Sequence, residues 1–167
     1  MLTIASNPNN IDGDIINVAN FSETVLEDDV TAKGGITFAT PVVIDPAIFD
    51  DVFITSLTGD LWFMNTVDSA GASEGLEVDA PLGNVWFNDN IGSNNPLGYL
   101  TVWSESLSLG GANEDSSGDG GTIPFEINTL GGVSFFGDID FTNVNHVMLL
   151  DDTEIYADTG AYVLFNP

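Results

Sequence analysis

The sequence predicts an all-β protein, a parallel β-helix (solenoid) of about six to seven rungs, each rung stacked on the one before it. Three observations predict this fold class. Helical periodicity is almost absent because 18 Gly, 7 Pro and many Asn and Asp residues interrupt every apolar run. Short segments of β-branched and aromatic residues recur between these interruptions. A phrase of similar wording also returns about every 25 residues.

The repeat is clearest in a phrase that begins with glycine and closes on phenylalanine. Gly59-Asp-Leu-Trp-Phe63 is followed 24 positions later by Gly83-Asn-Val-Trp-Phe87, and Phe38 precedes Phe63 by 25 positions. A period of this length, filled with very short strands, is typical of a solenoid. Weaker copies are expected to close at Leu109, Phe135 and Phe165.

The predicted strands are short runs of apolar, β-branched and aromatic residues bounded by turn-forming residues. Taken in chain order, they are residues 2–5, 15–19, 24–26, 35–39, 42–44, 52–55, 60–64, 76–78, 84–88, 99–103, 107–109, 123–127, 133–136, 139–141, 147–150, 153–156 and 162–165. The alternative is an antiparallel β-sandwich, which also uses short strands. Sandwich strands usually run about five or six residues and do not repeat their wording, so the repeat favours the solenoid.

The chain is expected to be a single β-solenoid domain over residues 1–167, because its length suits one continuous core. One polar stretch, Gly-Gly-Ala-Asn-Glu-Asp-Ser-Ser-Gly-Asp-Gly-Gly-Thr at 110–122, interrupts the pattern. We interpret it as a loop inserted into one rung, since loop entropy grows slowly with length.

The charge of the chain excludes several partners. Asp and Glu number 26 against a single Lys and no Arg, which gives a formal net charge of −25. Nucleic-acid binding needs Lys and Arg side chains that displace the counterions of the phosphates, so nucleic acid is not expected as a partner.

No apolar segment approaches the roughly 18 residues that would span a bilayer. The first residues also lack the pattern of a signal peptide.

Tryptophan gives the first candidate site. If Leu61 and Phe63 point inward, strand alternation turns Trp62 outward, and Trp86 stands above it in the next copy. Thr37 is expected at the same level one copy earlier, and Trp103 is expected to extend the face. Such an apolar patch suits contact with a second subunit or stacking against a sugar ring. The alternative, in which the rings have no binding role, is a local reversal of register or a loop that covers them.

Acidic residues at predicted turns give the second candidate site. Oxygen ligands are those that Ca²⁺ prefers, and a hard cation would relieve the repulsion between neighbouring carboxylates. Ca²⁺ is therefore the one cofactor that the sequence suggests, although the spacing matches no EF-hand and solvated charge is the simpler interpretation. The candidate ligands are Asp28, Asp29, Asp115, Asp119, Asp151 and Asp152.

Catalytic residues do not emerge from the sequence. His146 is the only histidine and Lys33 the only lysine, and the chain has no Cys. A nucleophile on a Gly-x-Ser-x-Gly turn is missing, and carboxylates adjacent on a strand point apart, so they make poor acid–base pairs. We therefore expect no enzyme.

A resemblance to a known family rests on two segments. Residues 83–102 read Gly-Asn-Val-x-Phe-Asn-x-x-Ile-Gly-x-x-x-Pro-Leu-x-x-Leu-x-Val, and Asp152-Thr-x-Ile-x-Ala-x-Thr-Gly160 is followed by an apolar close. This wording resembles the filamentous-haemagglutinin-type β-helical repeats of bacterial two-partner-secreted and autotransporter surface adhesins, over about residues 24–167. Trp62 and Trp86 depart from it, because these repeats usually carry a small polar residue there.

The resemblance implies an extracellular or cell-surface protein with a structural role. The expected function is that of a β-helical subunit or repeat segment of a surface fibre or adhesin. Because a solenoid end exposes unpaired strand edges, we expect head-to-tail self-association into filaments. The alternative is a carbohydrate- or surface-binding module that uses the outward Trp residues.

Overall fold

The computed structural model describes residues 1–4, 15–46, 51–71, 74–111, 125–129, 137–150, 152–158 and 160–166. These residues form strands and no helix. The strands are β1 (Leu2–Ile4), β2 (Ile16–Val18), β3 (Thr24–Leu26), β4 (Val30–Ala32), β5 (Ile36–Phe38), β6 (Val42–Ile44), β7 (Asp51–Ser56), β8 (Leu61–Phe63), β9 (Val67–Ser69), β10 (Gly75–Phe87), β11 (Tyr99–Leu109), β12 (Phe125–Asn128), β13 (Ile139–Leu149), β14 (Thr153–Tyr156) and β15 (Val163–Phe165).

The strands stack into three faces of a solenoid. The first face holds β1, β3, β6 and β9, then Ile91, β12 and β14. The second face holds β4, β7, the N-terminal halves of β10, β11 and β13, and β15. The third face holds β2, β5, β8 and the C-terminal halves of the three long strands.

All strand pairs among the described residues are parallel, so the prediction of a parallel β-solenoid is confirmed and the antiparallel sandwich is wrong. The solenoid makes about five turns rather than the six to seven expected. The difference arises where β11 passes to β13, because Leu100 pairs with Ile139, 39 positions later, whereas most rungs take about 24.

The core is built from columns of like side chains that point inward. On the third face Phe38 lies beneath Phe63, and Phe63 beneath Phe87, with ring centroids 5.3 and 4.6 Å apart. All three are fully buried. Burying one such side chain stabilises a fold by about 1.5–3 kcal/mol, so the repeated phenylalanine is the main sequence determinant of this face.

The upper part of this column differs from the sequence prediction. Leu109 pairs with Phe87 as expected, but the next residue is Leu149. Phe165 instead pairs with Phe141 on the second face, and Phe135 lies outside the described residues. The long connection between β11 and β13 breaks the regular spacing on which the prediction depended.

The glycine that opens each repeated phrase marks a corner where the backbones of successive rungs touch. A Cβ on Gly83 would lie 2.1 Å from the carbonyl oxygen of Gly59, and a Cβ on Gly59 would lie 2.5 Å from the nitrogen of Gly35. Only glycine allows this approach. The phrase that revealed the repeat therefore combines a close backbone contact with an inward phenylalanine.

Candidate functional site

The aromatic column on the third face has the predicted geometry. Trp62 and Trp86 lie in register on adjacent strands, and Thr37 stands at the same level on β5. The ring centroids of Trp62 and Trp86 are 5.6 Å apart, and the interplanar angle is 40°. Trp62 is 39% exposed, while its strand neighbours Leu61 and Phe63 are fully buried. The outward orientation is therefore confirmed.

Polar contacts hold this column in place. The indole Nε1 of Trp62 donates a hydrogen bond of 2.9 Å to Oδ1 of Asn88, one rung above. Trp86 is only partly exposed because it packs against Trp62. The two rings form an apolar platform, in which the indole N–H of Trp62 already has its hydrogen-bond partner within the protein.

Trp103 does not extend this column, and the prediction that it does is wrong. It lies on the second face, where it pairs with Asp79 of β10 and Asn143 of β13. Above Trp86 the strand register instead places Ser108, which is buried, and then Met148, which is exposed. Trp103 is 52% exposed and lies on another side of the solenoid.

Acidic side chains at the rung corners accept hydrogen bonds from the backbone of the next rung. Asp29 Oδ1 accepts the N–H of Phe53 at 2.9 Å, and Asp60 Oδ1 accepts the N–H of Asn84 at 2.9 Å. Asp138 Oδ1 accepts the N–H of Tyr162 at 2.8 Å in the same way. In these three cases the donor follows the acceptor by 24 positions. Charged acceptors of backbone N–H groups make stronger bonds than neutral ones, so these carboxylates help to join successive rungs.

Of the candidate Ca²⁺ ligands, Asp28, Asp29 and Asp152 belong to the described residues, and these three do not come together. Asp28 Oδ1 accepts the N–H of Asp29 at the corner before β4, while Asp152 is exposed beside β14 in the last rung. Among the described residues, no three acidic or histidine side chains lie together as metal ligands would. Asp115, Asp119 and Asp151 lie outside the described residues.

A second acidic group, on the second face, was missed by the sequence analysis. Glu77 and Asp79 alternate on β10, and Asp51 lies one strand below, opposite Gly75. The ring of Tyr99 lies over Gly75, where an added Cβ would be 2.0 Å from Tyr99 Cε1, and its hydroxyl bonds Asp51 two strands away. The Glu-x-Asp spacing was a usable signal, because residues two apart on a strand share a face.

Burial and mutual repulsion shift the ionisation of this second group. Burial, together with the charges of Asp79 and Asp51, raises the pKa of Glu77 above its usual value. Burial also raises the pKa of Asp79, whose Oδ1 is buried without a hydrogen-bond partner. The pKa of Tyr99 is raised by burial and then by Asp51 and Glu77.

The two residues considered for chemistry lie far apart in the fold. His146 is exposed on β13, where it pairs in register with Ser106. Lys33 follows β4, the first described strand of the second face.

Comparison of the chain with known protein families, with curated proteins and with solved structures found no match. The resemblance to filamentous-haemagglutinin-type repeats stays a prediction. None of the described residues forms a helix long and apolar enough to cross a bilayer.

Proposed function

We propose that the chain is a non-enzymatic structural module of an extracellular or cell-surface fibre, a β-helical subunit or repeat segment of a bacterial surface adhesin that associates head-to-tail. The observation that carries this proposal is the unbroken stack of inward side chains. Phe38, Phe63 and Phe87 superpose over three successive rungs, and the corner glycines Gly35, Gly59 and Gly83 superpose with them.

A stack of this kind suits a spacer of adjustable length. Each rung contacts only its neighbours, so length can be added without a new core. Corner carboxylates such as Asp29 and Asp60 join one rung to the next through the backbone. The net charge of −25 favours solubility and disfavours collapse of one fibre onto another, as a surface fibre requires.

Negative-stain electron microscopy of the isolated protein, with and without a calcium chelator, tests this proposal. We expect filaments of uniform width, because each added copy continues the same rungs. Their loss on chelation would give the acidic turns a Ca²⁺-dependent structural role. Discrete particles under both conditions would contradict self-assembly.

The second candidate is a carbohydrate- or surface-binding module. The observation that favours it is the contact between exposed Trp62 and partly exposed Trp86, whose rings lie on the outward side of the sheet. Tryptophan rings held side by side on a strand surface suit the apolar face of a sugar ring, and the β-sheet keeps them preorganised.

Replacing Trp62 and Trp86 by Ala tests this second candidate. Loss of binding on a glycan array, with filaments unaffected, would support it because only the platform is removed. Trp103→Ala is the matched control, since Trp103 is also an exposed tryptophan but lies on the second face. Equal losses in both variants would contradict a specific platform.

A further inference from the structure

The outward side of the second face carries aromatic and acidic side chains in adjacent positions. Glu77 of β10 lies directly above Phe53 of β7. Two positions further along β10, Asp79 lies directly below Trp103 of β11. Phe53 is 41% exposed and Trp103 is 52% exposed, whereas Val78, between the two carboxylates, is fully buried. The four outward side chains therefore form one surface, which we call the acidic–aromatic face.

The two carboxylates of this face are unfavourable for the folded protein when they are ionised. Burial raises the pKa of both, and for Glu77 the charges of Asp79 and Asp51 add to the effect. One oxygen of Asp79, Oδ1, is buried without a hydrogen-bond partner. A raised pKa means that the ionised carboxylate is less stable in the folded chain than in the unfolded chain. A cationic group bound from outside would stabilise the ionised form.

The chain itself holds almost no charge that could balance this face. It has 26 Asp and Glu residues against one Lys and no Arg, so nearly all of the balancing charge comes from outside the chain. A second copy carries the same net charge of −25, and repulsion disfavours it as the partner. Ca²⁺ and Mg²⁺ bind several oxygen ligands at once. Among the described residues, no three acidic or histidine side chains lie together in this way.

The aromatic rings favour an organic cation over a metal ion. The guanidinium group of Arg can bind a carboxylate through two parallel hydrogen bonds, and it also stacks on aromatic rings. Asp79 and Trp103 are paired in register on neighbouring strands, which lie about 4.8 Å apart, so one guanidinium group can contact both side chains. Glu77 and Phe53 offer the same combination between β10 and β7.

The spacing of the carboxylates matches an extended peptide. Glu77 and Asp79 stand two residues apart on β10, a separation of about 6.6 Å along the strand. An extended peptide presents alternate side chains on one side at the same interval. We propose that the acidic–aromatic face binds an extended segment of a partner protein that carries Arg at alternate positions, one Arg against Asp79 and the other against Glu77.

The third face does not share this combination. The column that contains Trp62 and Trp86 continues through Thr37, Ser108 and Met148, none of which is charged. Binding of a basic segment is therefore expected on the second face. The acidic–aromatic face also lies on the side of the solenoid and not at its ends, so this proposal is independent of the head-to-tail fibre function.

A short labelled peptide of alternating Arg and Thr, titrated with the full chain at physiological salt, tests the proposal by fluorescence anisotropy. We expect the double variant Glu77→Gln and Asp79→Asn to bind at least about tenfold more weakly, because charge-assisted hydrogen bonds are lost. Glu27→Gln with Asp45→Asn is the matched control, since it removes the same charge from the corners after β3 and β6. Circular dichroism verifies that both double variants are folded.

Trp103→Ala tests the aromatic part of the site. We expect it to weaken binding of the Arg peptide by about three- to fivefold and to reduce its advantage over the same peptide with Lys, because Arg stacks on the indole ring. Trp62→Ala removes an exposed tryptophan from the third face and should leave binding unchanged.

The outcomes separate this site from general attraction to an acidic chain and from the fibre function. Equal weakening in the two double variants would overturn the site, because the peptide would then bind the net charge alone. A wild type that does not bind the Arg peptide at physiological salt would also overturn it. Filaments that form normally in the variant of Glu77 and Asp79 are expected, since the solenoid ends are unchanged. Their loss would contradict the independence of the two functions.

Discussion

Gly75 shows how one missing side chain organises part of the second face. The ring of Tyr99 lies over it and its hydroxyl reaches Asp51 on the far strand, so three strands are linked by one aromatic side chain. The ring occupies the space that a Cβ at position 75 would need. The link therefore depends on glycine for room and not for an unusual backbone angle.

We predict that Gly75→Ala destabilises the protein by about 1–3 kcal/mol, because the added methyl group displaces the Tyr99 ring and breaks its bond to Asp51. Denaturant unfolding followed by circular dichroism measures the change. In a Tyr99→Ala background the same substitution should cost much less, since the obstacle is gone. Equal costs in both backgrounds would show that the ring is not the reason for glycine here.

At the residue scale, strand alternation was enough to predict the outward Trp62 and Trp86 but not the position of Trp103. Trp62 and Trp86 occupy the same place in adjacent copies of one phrase, so their superposition follows from the repeat. Trp103 has no counterpart in that phrase. Its face depends on where β11 bends between the second and third faces, which spacing alone does not reveal.

Among the strands, β10 is the one whose outward side chains link charge most directly to folding stability. Glu77 and Asp79 share this side with Asp51 below them, and the pKa of Glu77 is raised from its ordinary value of 4.5. The folded protein thus holds this proton more tightly than the unfolded chain does. The sign follows from linkage: this group favours folding below about its unfolded pKa, and that contribution is lost as pH rises through the folded value.

We predict that Glu77→Gln raises the melting temperature at pH 7, because the substitution removes a charge that repels its neighbours and is partly buried. The gain should shrink as pH falls towards 4.5, where the wild-type carboxyl also becomes neutral. Differential scanning calorimetry across this range measures it. Glu27→Gln, on the corner after β3, removes one charge elsewhere and controls for the general effect of a less acidic chain. A gain of the same size in both variants would refute a local cause.

Element boundaries were predictable where apolar residues dominate and not where polar residues form strands. Strands β4 and β9 were not predicted, because Val30-Thr-Ala32 is bounded by acidic and basic residues and Val67-Asp-Ser69 is mostly polar. Both form because parallel neighbours supply their hydrogen bonds. Strand β10 was predicted as two separate strands, since Pro81 and Gly83 lie at the register shift where the strand turns a corner.

For the whole molecule, the repeat was enough to predict the fold class but not the number of rungs. A fixed period predicts which residues superpose only while each rung keeps its length. The circuit between β11 and β13 is longer than the others, so residues beyond Leu109 changed columns. The long polar stretch predicted as an insertion at 110–122 begins directly after β11, and from residue 112 to its end it lies outside the described residues.

The corner carboxylates give the molecule a direction. In the Asp29, Asp60 and Asp138 contacts, the acceptor belongs to the earlier rung and the donor to the later one. A chain that emerges from a ribosome or a secretion pore N-terminus first therefore meets, at each of these corners, an acceptor already in place. Folding can then proceed as vectorial templating from the N-terminus, because each completed rung sets the strand register of the next. Contacts with distant segments of the chain are not needed.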